Sequence, residues 1–442
     1  MPLLRLPRAE PVLFAIWAIE LAGLVWSPPE MRTASGILMI AYLTLSLPRL
    51  RRGTIVLCLP LAVGAAALAT WYGQWGAIFR GFAGGAVFVA FFGSIVLLRA
   101  IADRRPEIAR ARTLFTGLRR EETNGAFLVG AHLIGAVLVV GVMALLAPIL
   151  GRDADDATRR RAAEVSQRGM CLAPLWSPFW VAAAFAAQQI HGVPAWQIMG
   201  VGAALAAVGL VVAHVMYARG VGLGDLWRAI RGFAPIVPIV LLCAAAIAVL
   251  SSVAGLSTLK ALIATIPALA VLVCVFEGRR YARVLAAETW RGGGRIADEV
   301  SVVTVAMVLG RVLEHAIHEA GLGSAIGALG LPPWAVIAAV VATITIAALV
   351  GIHQIVSLLV VFVVFAPLDT GVADVILMEA GLVGWGFASM VGVTAVSTAT
   401  ASAMFRVPRG QLIFGPNLAF VAVFGALSVV LLSVANGLFF AR

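Results

Sequence analysis

Long apolar runs alternate with short polar stretches along the whole chain, at 11–27, 33–48, 54–71, 80–100, 124–149, 169–191, 194–217, 232–251, 258–277, 297–319, 333–366, 376–405 and 411–440. A helix needs about 20 apolar residues to cross roughly 30 Å of hydrocarbon. Only helices and closed barrels satisfy their backbone there, and these runs lack the two-residue alternation of barrel strands. The pattern predicts an all-α membrane protein with almost no soluble part.

Composition agrees. The 442 residues are 62% hydrophobic and 12% charged, about half the charge of a soluble domain. Net charge is +11, which on a soluble chain would suggest nucleic acid. Here the arginines sit in short clusters between apolar runs, so they encode orientation, and no basic domain exists to bind nucleic acid. Cys58, Cys171, Cys243 and Cys274 lie inside apolar runs without a CxxC pair and read as free thiols. The first run follows Arg5 and Arg8, lacks a small-residue cleavage site and reads as a retained helix.

Counting basic residues gives the topology. Loops 1–10, 49–53, 99–123, 150–168, 216–231, 278–296 and 406–410 are rich in Arg, whereas 27–34, 72–79, 192–194, 252–257, 320–333 and 367–374 are poor in Arg and Lys. The first set is expected inside and the second outside. Two segments do not fit as single crossings. Segment 124–149 has basic loops on both sides, and 333–366 is too long for one helix and has no flanking Arg or Lys. Both are expected to be re-entrant hairpins, the first from the cytoplasm and the second from outside. That leaves about 11 crossings in a cytoplasmic (inner) membrane, with the N-terminus inside and the C-terminus outside.

Opposed hairpins suggest an inverted repeat, the common construction of secondary transporters. An offset near 220 residues lays 169–185, GMCLAPLWSPFWVAAAF, on 389–405, SMVGVTAVSTATASAMF, without gaps. Met170 meets Met390, Ser177 meets Ser397 and Phe185 meets Phe405, and the hairpins end alike in LLAP (145–148) and VFAP (364–367). The expected organisation is an extra helix (1–30) and two repeats. The first, 31–220, holds hairpin 124–149 and a broken helix at 169–191; the second, 221–442, holds hairpin 333–366 and a broken helix at 376–405.

This arrangement resembles the ion transporter superfamily, which includes the divalent anion/sodium symporters and arsenite permeases. The segment 101–122, IADRRPEIARARTLFTGLRREE, looks like that fold's amphipathic arm. The Ser-Asn-Thr signature of the dicarboxylate branch is absent from both hairpins. The resemblance implies an anionic substrate, an elevator-type motion and a homodimer.

Irregular backbone survives in a bilayer only where it is buried in protein or lines a cavity, so Gly, Pro and hydroxyl residues inside crossings mark candidate sites. Pro174, Trp176, Ser177 and Pro178 form one break, whose two prolines remove amide donors from the helix ladder. Thr394, Ser397 and Thr398 begin a hydroxyl-rich second one. A proline kink or close helix packing would explain the same residues without a ligand. Gly135 and Gly141 are expected at the inner hairpin tip. His132 in one hairpin and His353 in the other, the latter beside Gln354 and Ser357, are candidate proton relays, since ionisable groups at membrane depth are functional hypotheses by default. Arg311, Glu314, His315, His318 and Glu319 read as a salt-bridged helix end and no metal site is indicated; Glu20 is a lone carboxylate. The crossings supply no fixed cation that would identify an anion.

The reading that follows is a secondary active transporter, not an enzyme. It would move a small anionic solute by alternating access, coupled to H+ or Na+, with no other cofactor. The alternatives are a channel, a non-transporting subunit of an export or assembly complex, or a membrane-embedded enzyme.

Overall fold

The computed structural model describes residues 9–104, 120–151, 154–217 and 237–440. No strand occurs among the described residues, most of which are helical. The helices are α1 (Glu10–Ala22), α2 (Pro29–Ser46), α3 (Arg52–Trp71), α4 (Trp75–Ala102), α5 (Arg120–Leu138), α6 (Val142–Leu146) and α7 (Asp156–Cys171). Then come α8 (Val181–Gln189), α9 (Ala195–Tyr217), α10 (Val237–Ala254), α11 (Thr258–Glu277), α12 (Arg279–Gly293), α13 (Ala297–Glu319) and α14 (Leu322–Gly327). The last six are α15 (Pro333–Leu349), α16 (Gln354–Phe365), α17 (Asp374–Val391), α18 (Val396–Phe405), α19 (Arg409–Ile413) and α20 (Pro416–Phe440).

Among the described residues, eight stretches are long and apolar enough to cross a membrane: 52–71, 75–102, 125–149, 195–217, 258–277, 297–319, 374–405 and 409–439. This is an integral membrane protein. Of the other expected crossings, α1 has 13 residues, about 20 Å of helix. Helix α2 carries Glu30 and Arg32 in its first turn, and the start of 232–251 lies outside the described residues, as does most of the expected arm at 101–122. Two stretches taken for basic loops are helices. Segment 150–168 contains most of α7, and 278–296 contains α12.

Two compact units emerge, each assembled from two stretches of chain: residues 1–103 with 260–326, and residues 104–259 with 327–442. Within the first unit, α4 is the central helix, packed by α13, α2, α1 and α12. Its small face makes this possible, since a Cβ on Gly81 would run into the Val308 backbone. Several polar groups of this unit are paired, although Trp17 Nε1 and the Ser94 and Ser301 hydroxyls are buried without a hydrogen-bond partner. Ser35 donates to Glu20 at 2.7 Å, and Thr54 donates to Asp298 at 2.6 Å. At the end of α13, Arg311 pairs with Glu314 at 2.9 Å, and His315 lies 3.7 Å from Glu319.

The second unit holds both expected hairpin segments and both helix breaks. Helix α5 stops where Val139 takes a left-handed backbone, φ 54°, and α6 follows after one 3-10 turn, packed on α5 and α18. Helices α15 and α16, of 17 and 12 residues, pack against each other across a four-residue connection. The second is shorter than a crossing requires, and the first is at the lower limit. Helix α17 is buried along its whole length, against α15, α16, α20, α7 and α8.

Candidate functional site

The first break lies between α7 and α8. Asp155 starts α7 by accepting the Thr158 amide at 2.6 Å, an ordinary N-cap. The helix ends at Cys171, and a 3-10 turn over Ala173–Leu175 carries Pro174. Helix resumes only at Val181, because proline cannot donate to the ladder and disfavours helical backbone in the residue before it. Side chains of the break donate to backbone carbonyls near the end of α5. Ser177 donates to the Ala136 carbonyl at 2.5 Å, and the Trp180 indole donates to the Gly135 carbonyl at 3.1 Å.

His132 completes this stitching. Its Nε2 accepts the Trp176 indole N–H at 3.0 Å, and Nδ1 lies 3.1 Å from the Gly169 carbonyl oxygen. Indole nitrogen only donates, so Nε2 must be the acceptor and Nδ1 the donor. Both ring nitrogens of the neutral imidazole are therefore occupied. Gly169 permits this contact, since a Cβ there would run into the Leu128 carbonyl oxygen of α5.

The second break lies between α17 and α18. It is short, Gly392–Ala395, and the Val393 amide donates to the Ala348 carbonyl of α15 at 3.1 Å. A helix leaves its last four carbonyls without intrahelical partners, and here hydroxyls from the next helix supply them. Ser397 donates to the Ser389 carbonyl, and the Thr398 hydroxyl lies 3.2 Å from both the Ser389 and Met390 carbonyls. Ser389 in turn donates to Gln354 at 3.3 Å.

The two breaks meet. Helices α7 and α17 end at Cys171 and Val391, the offset at which the two sequences align. Gly386 lets α17 approach the Cys171 carbonyl, where a Cβ would not fit. Gln167 reaches across, its amide nitrogen 3.4 Å from the Thr398 hydroxyl and 3.5 Å from the Met390 carbonyl. Its amide oxygen accepts from Asn417 at 3.1 Å. All three polar side chains are buried.

The structure thus brings together His132, Gly135, Trp176 and Ser177 at one break, with Pro174 and Pro178 buried beside them. At the other it joins Gln354, Ser397 and Thr398. His353 caps α16, accepting the Ile355 amide at 3.3 Å. Ser357 is buried, and its hydroxyl has no partner. Thr394 and Gly141 are exposed and join neither group; the turn after α5 falls at Val139, between the two expected glycines.

Four groups escape the sequence reading. Gln167 and Asn417 sit at the ends of apolar runs, where a polar residue looks interfacial. Arg168, assigned by its charge to a cytoplasmic loop, is 1% exposed in the last turn of α7. Glu379 lies in α17, with neither carboxyl oxygen hydrogen-bonded. A single acid in a long apolar run was the available signal for it.

No family model matches the chain, and no curated protein does. Among solved structures it is similar to the YdaH transporter of Alcanivorax borkumensis, described as having an unusual topology. The TM-score is 0.55 at 15% sequence identity, covering 88% of this chain and 98% of that chain. At that identity the likeness shows the fold alone.

Proposed function

We propose that this chain is a secondary active transporter that moves a small anionic solute by alternating access, driven by an H+ or Na+ gradient. The observation that carries the reading is Gln167, whose amide joins the break in one half of the chain to the Thr398 hydroxyl and Met390 carbonyl of the other. Interrupted helices are costly unless they build a site, and two of them meeting at a polar network is the arrangement such a site needs. Helices α8 and α18 start just past the breaks without a side-chain cap. Their free N–H groups favour an anion. The fold likeness to a protein described as a transporter supports the same reading.

In this reading the second unit carries the solute. Trp176, Ser177, Gln354, Ser397 and Thr398 line its path, and α15–α16 and α5–α6 act as re-entrant hairpins. His132 holds the first break together and His353 stays the relay candidate. Glu379, buried without a hydrogen-bond partner, is a further candidate for the coupling ion, because an unpaired carboxyl in such a place is costly to keep without function. A homodimer in the inner membrane, N-terminus inside and C-terminus outside, accompanies the proposal.

Flux into proteoliposomes, with a panel of small anions and an imposed sodium or pH gradient, tests it. Gradient-driven uptake is expected, with Ser177→Ala, Ser397→Ala and His353→Ala each slowing it at least tenfold. Unchanged uptake in all three variants removes the assigned path. If no gradient drives any uptake, the non-transporting subunit reading replaces this one.

A further inference from the structure

Arg168 is the largest fully buried side chain among the described residues, and it is incompletely satisfied. Its Nη2 lies 3.6 Å from a Glu164 carboxyl oxygen, and the guanidinium carbon sits 3.7 Å from the Tyr217 ring centroid. Nε and Nη2 have no hydrogen-bond partner. Glu164 is shared, since its other oxygen takes Arg160 at 2.8 Å. Among the described residues, two guanidinium groups share this one carboxylate and leave an excess of one positive charge, and arginine does not shed its proton to relieve this.

Beside the guanidinium is a cavity of about 10 Å³ lined by Gly125, Leu128, Val165, Arg168, Ala213, His214 and Tyr217. His214 of α9 is buried, and its Nδ1 is also without a partner. The Tyr217 hydroxyl is directed elsewhere, donating to the Pro416 carbonyl at 2.6 Å. The volume admits one water-sized atom. A water there would accept from the arginine and could donate to His214 Nδ1 in one tautomer, but it would leave the excess positive charge unbalanced. A species that only accepts and carries negative charge satisfies the arginine and offsets the excess charge at once.

We propose that Arg168 and His214 form a binding site for one small monovalent anion, either a halide or a carboxylate oxygen. His214 presents Nδ1–H to it, and Arg168 presents Nε and Nη2. The space takes one atom of the ligand, a halide or the tip of a carboxylate, and is too small to enclose phosphate. The site is separate from the network at the breaks. Gln167, one residue earlier on α7, reaches α18 and α20, whereas Arg168 stacks on α9. It therefore does not depend on the transport reading.

The test uses the full-length protein in detergent, with chloride, bromide or acetate exchanged for gluconate at constant ionic strength and thermal unfolding as the readout. A saturable rise in Tm with halide or acetate is expected. His214→Phe, which fills the cavity but keeps the arginine, should weaken the apparent affinity at least tenfold; Arg168→Gln should abolish the response. Crystals grown in bromide should show an anomalous peak next to the Arg168 guanidinium. A response to acetate with no bromide peak assigns the site to carboxylates; the converse assigns it to halides. A Tm response identical in His214→Phe and wild type, or electron density with no anion dependence, means water only and overturns the proposal. Binding is measured without a gradient, so absent flux with intact binding counts against transport alone.

Discussion

The two helix breaks of the second unit solve one problem in different ways. Each follows a helix whose last carbonyls need donors, and the carbonyls of Gly169 and Ser389 stand at matching positions of the aligned halves. At Gly169 the donor is His132, on a neighbouring helix. At Ser389 the donors are Ser397 and Thr398, from the chain just beyond the same break. The first break is thus stitched to α5 by His132–Trp176, Ser177–Ala136 and Trp180–Gly135. The second mostly satisfies itself and touches α15 and α16 through the Val393 amide and Ser389–Gln354 at 3.3 Å. A long, proline-made break needs outside partners, whereas a short one with hydroxyls can close on itself.

This contrast can be broken by substitution. Gly169→Ala should have the largest effect, because its Cβ meets a backbone oxygen that cannot swing away. A loss of roughly 3 kcal/mol is expected, read as a large drop in Tm or failure to isolate folded protein. Ser177→Ala comes next. It leaves the buried Ala136 carbonyl without its donor, at about 1–3 kcal/mol. Trp176→Phe should cost about 1 kcal/mol and move the His132 ring-nitrogen resonances, since Nε2 loses its donor. Ser397→Ala should be mildest, roughly 0.5 kcal/mol, because Thr398 still donates to the Ser389 carbonyl. If Ser397→Ala destabilises as much as Ser177→Ala in chemical denaturation, the second break is not self-satisfied and the comparison fails.

Much of the second unit was legible in the sequence because its signals are local. Proline spacing placed the first break, and the density of hydroxyls placed the second within a few residues. The alignment of 169–185 with 389–405 set the two breaks at equivalent positions, and in the structure the helices that precede them are in contact. What the pattern missed is tertiary. Arginine in a cluster reads as solvated, and nothing local says that Arg168 turns inward onto Tyr217 while Arg160 stays partly exposed. The same bias turned α7 and α12 into loops. Glu379 escaped because burial without a partner depends on the helices packed around it, and these come from distant parts of the chain. Thr394 was included because it belongs to the hydroxyl run, but the chain leaves it on the exposed side of the turn.

The interleaving of the two units has a consequence for biosynthesis. Helix α4 leaves the ribosome early, with a face of small residues at Gly81 and Gly85 shaped for Val308 and Thr304 of α13. That partner is made roughly 200 residues later. At bacterial-to-eukaryotic elongation speeds the nascent chain waits on the order of ten to forty seconds before the contact can form. For that interval lipid, the insertion machinery or a chaperone must occupy the groove. Substitutions on this face should therefore lower the yield of inserted protein more than they lower the stability of molecules already assembled.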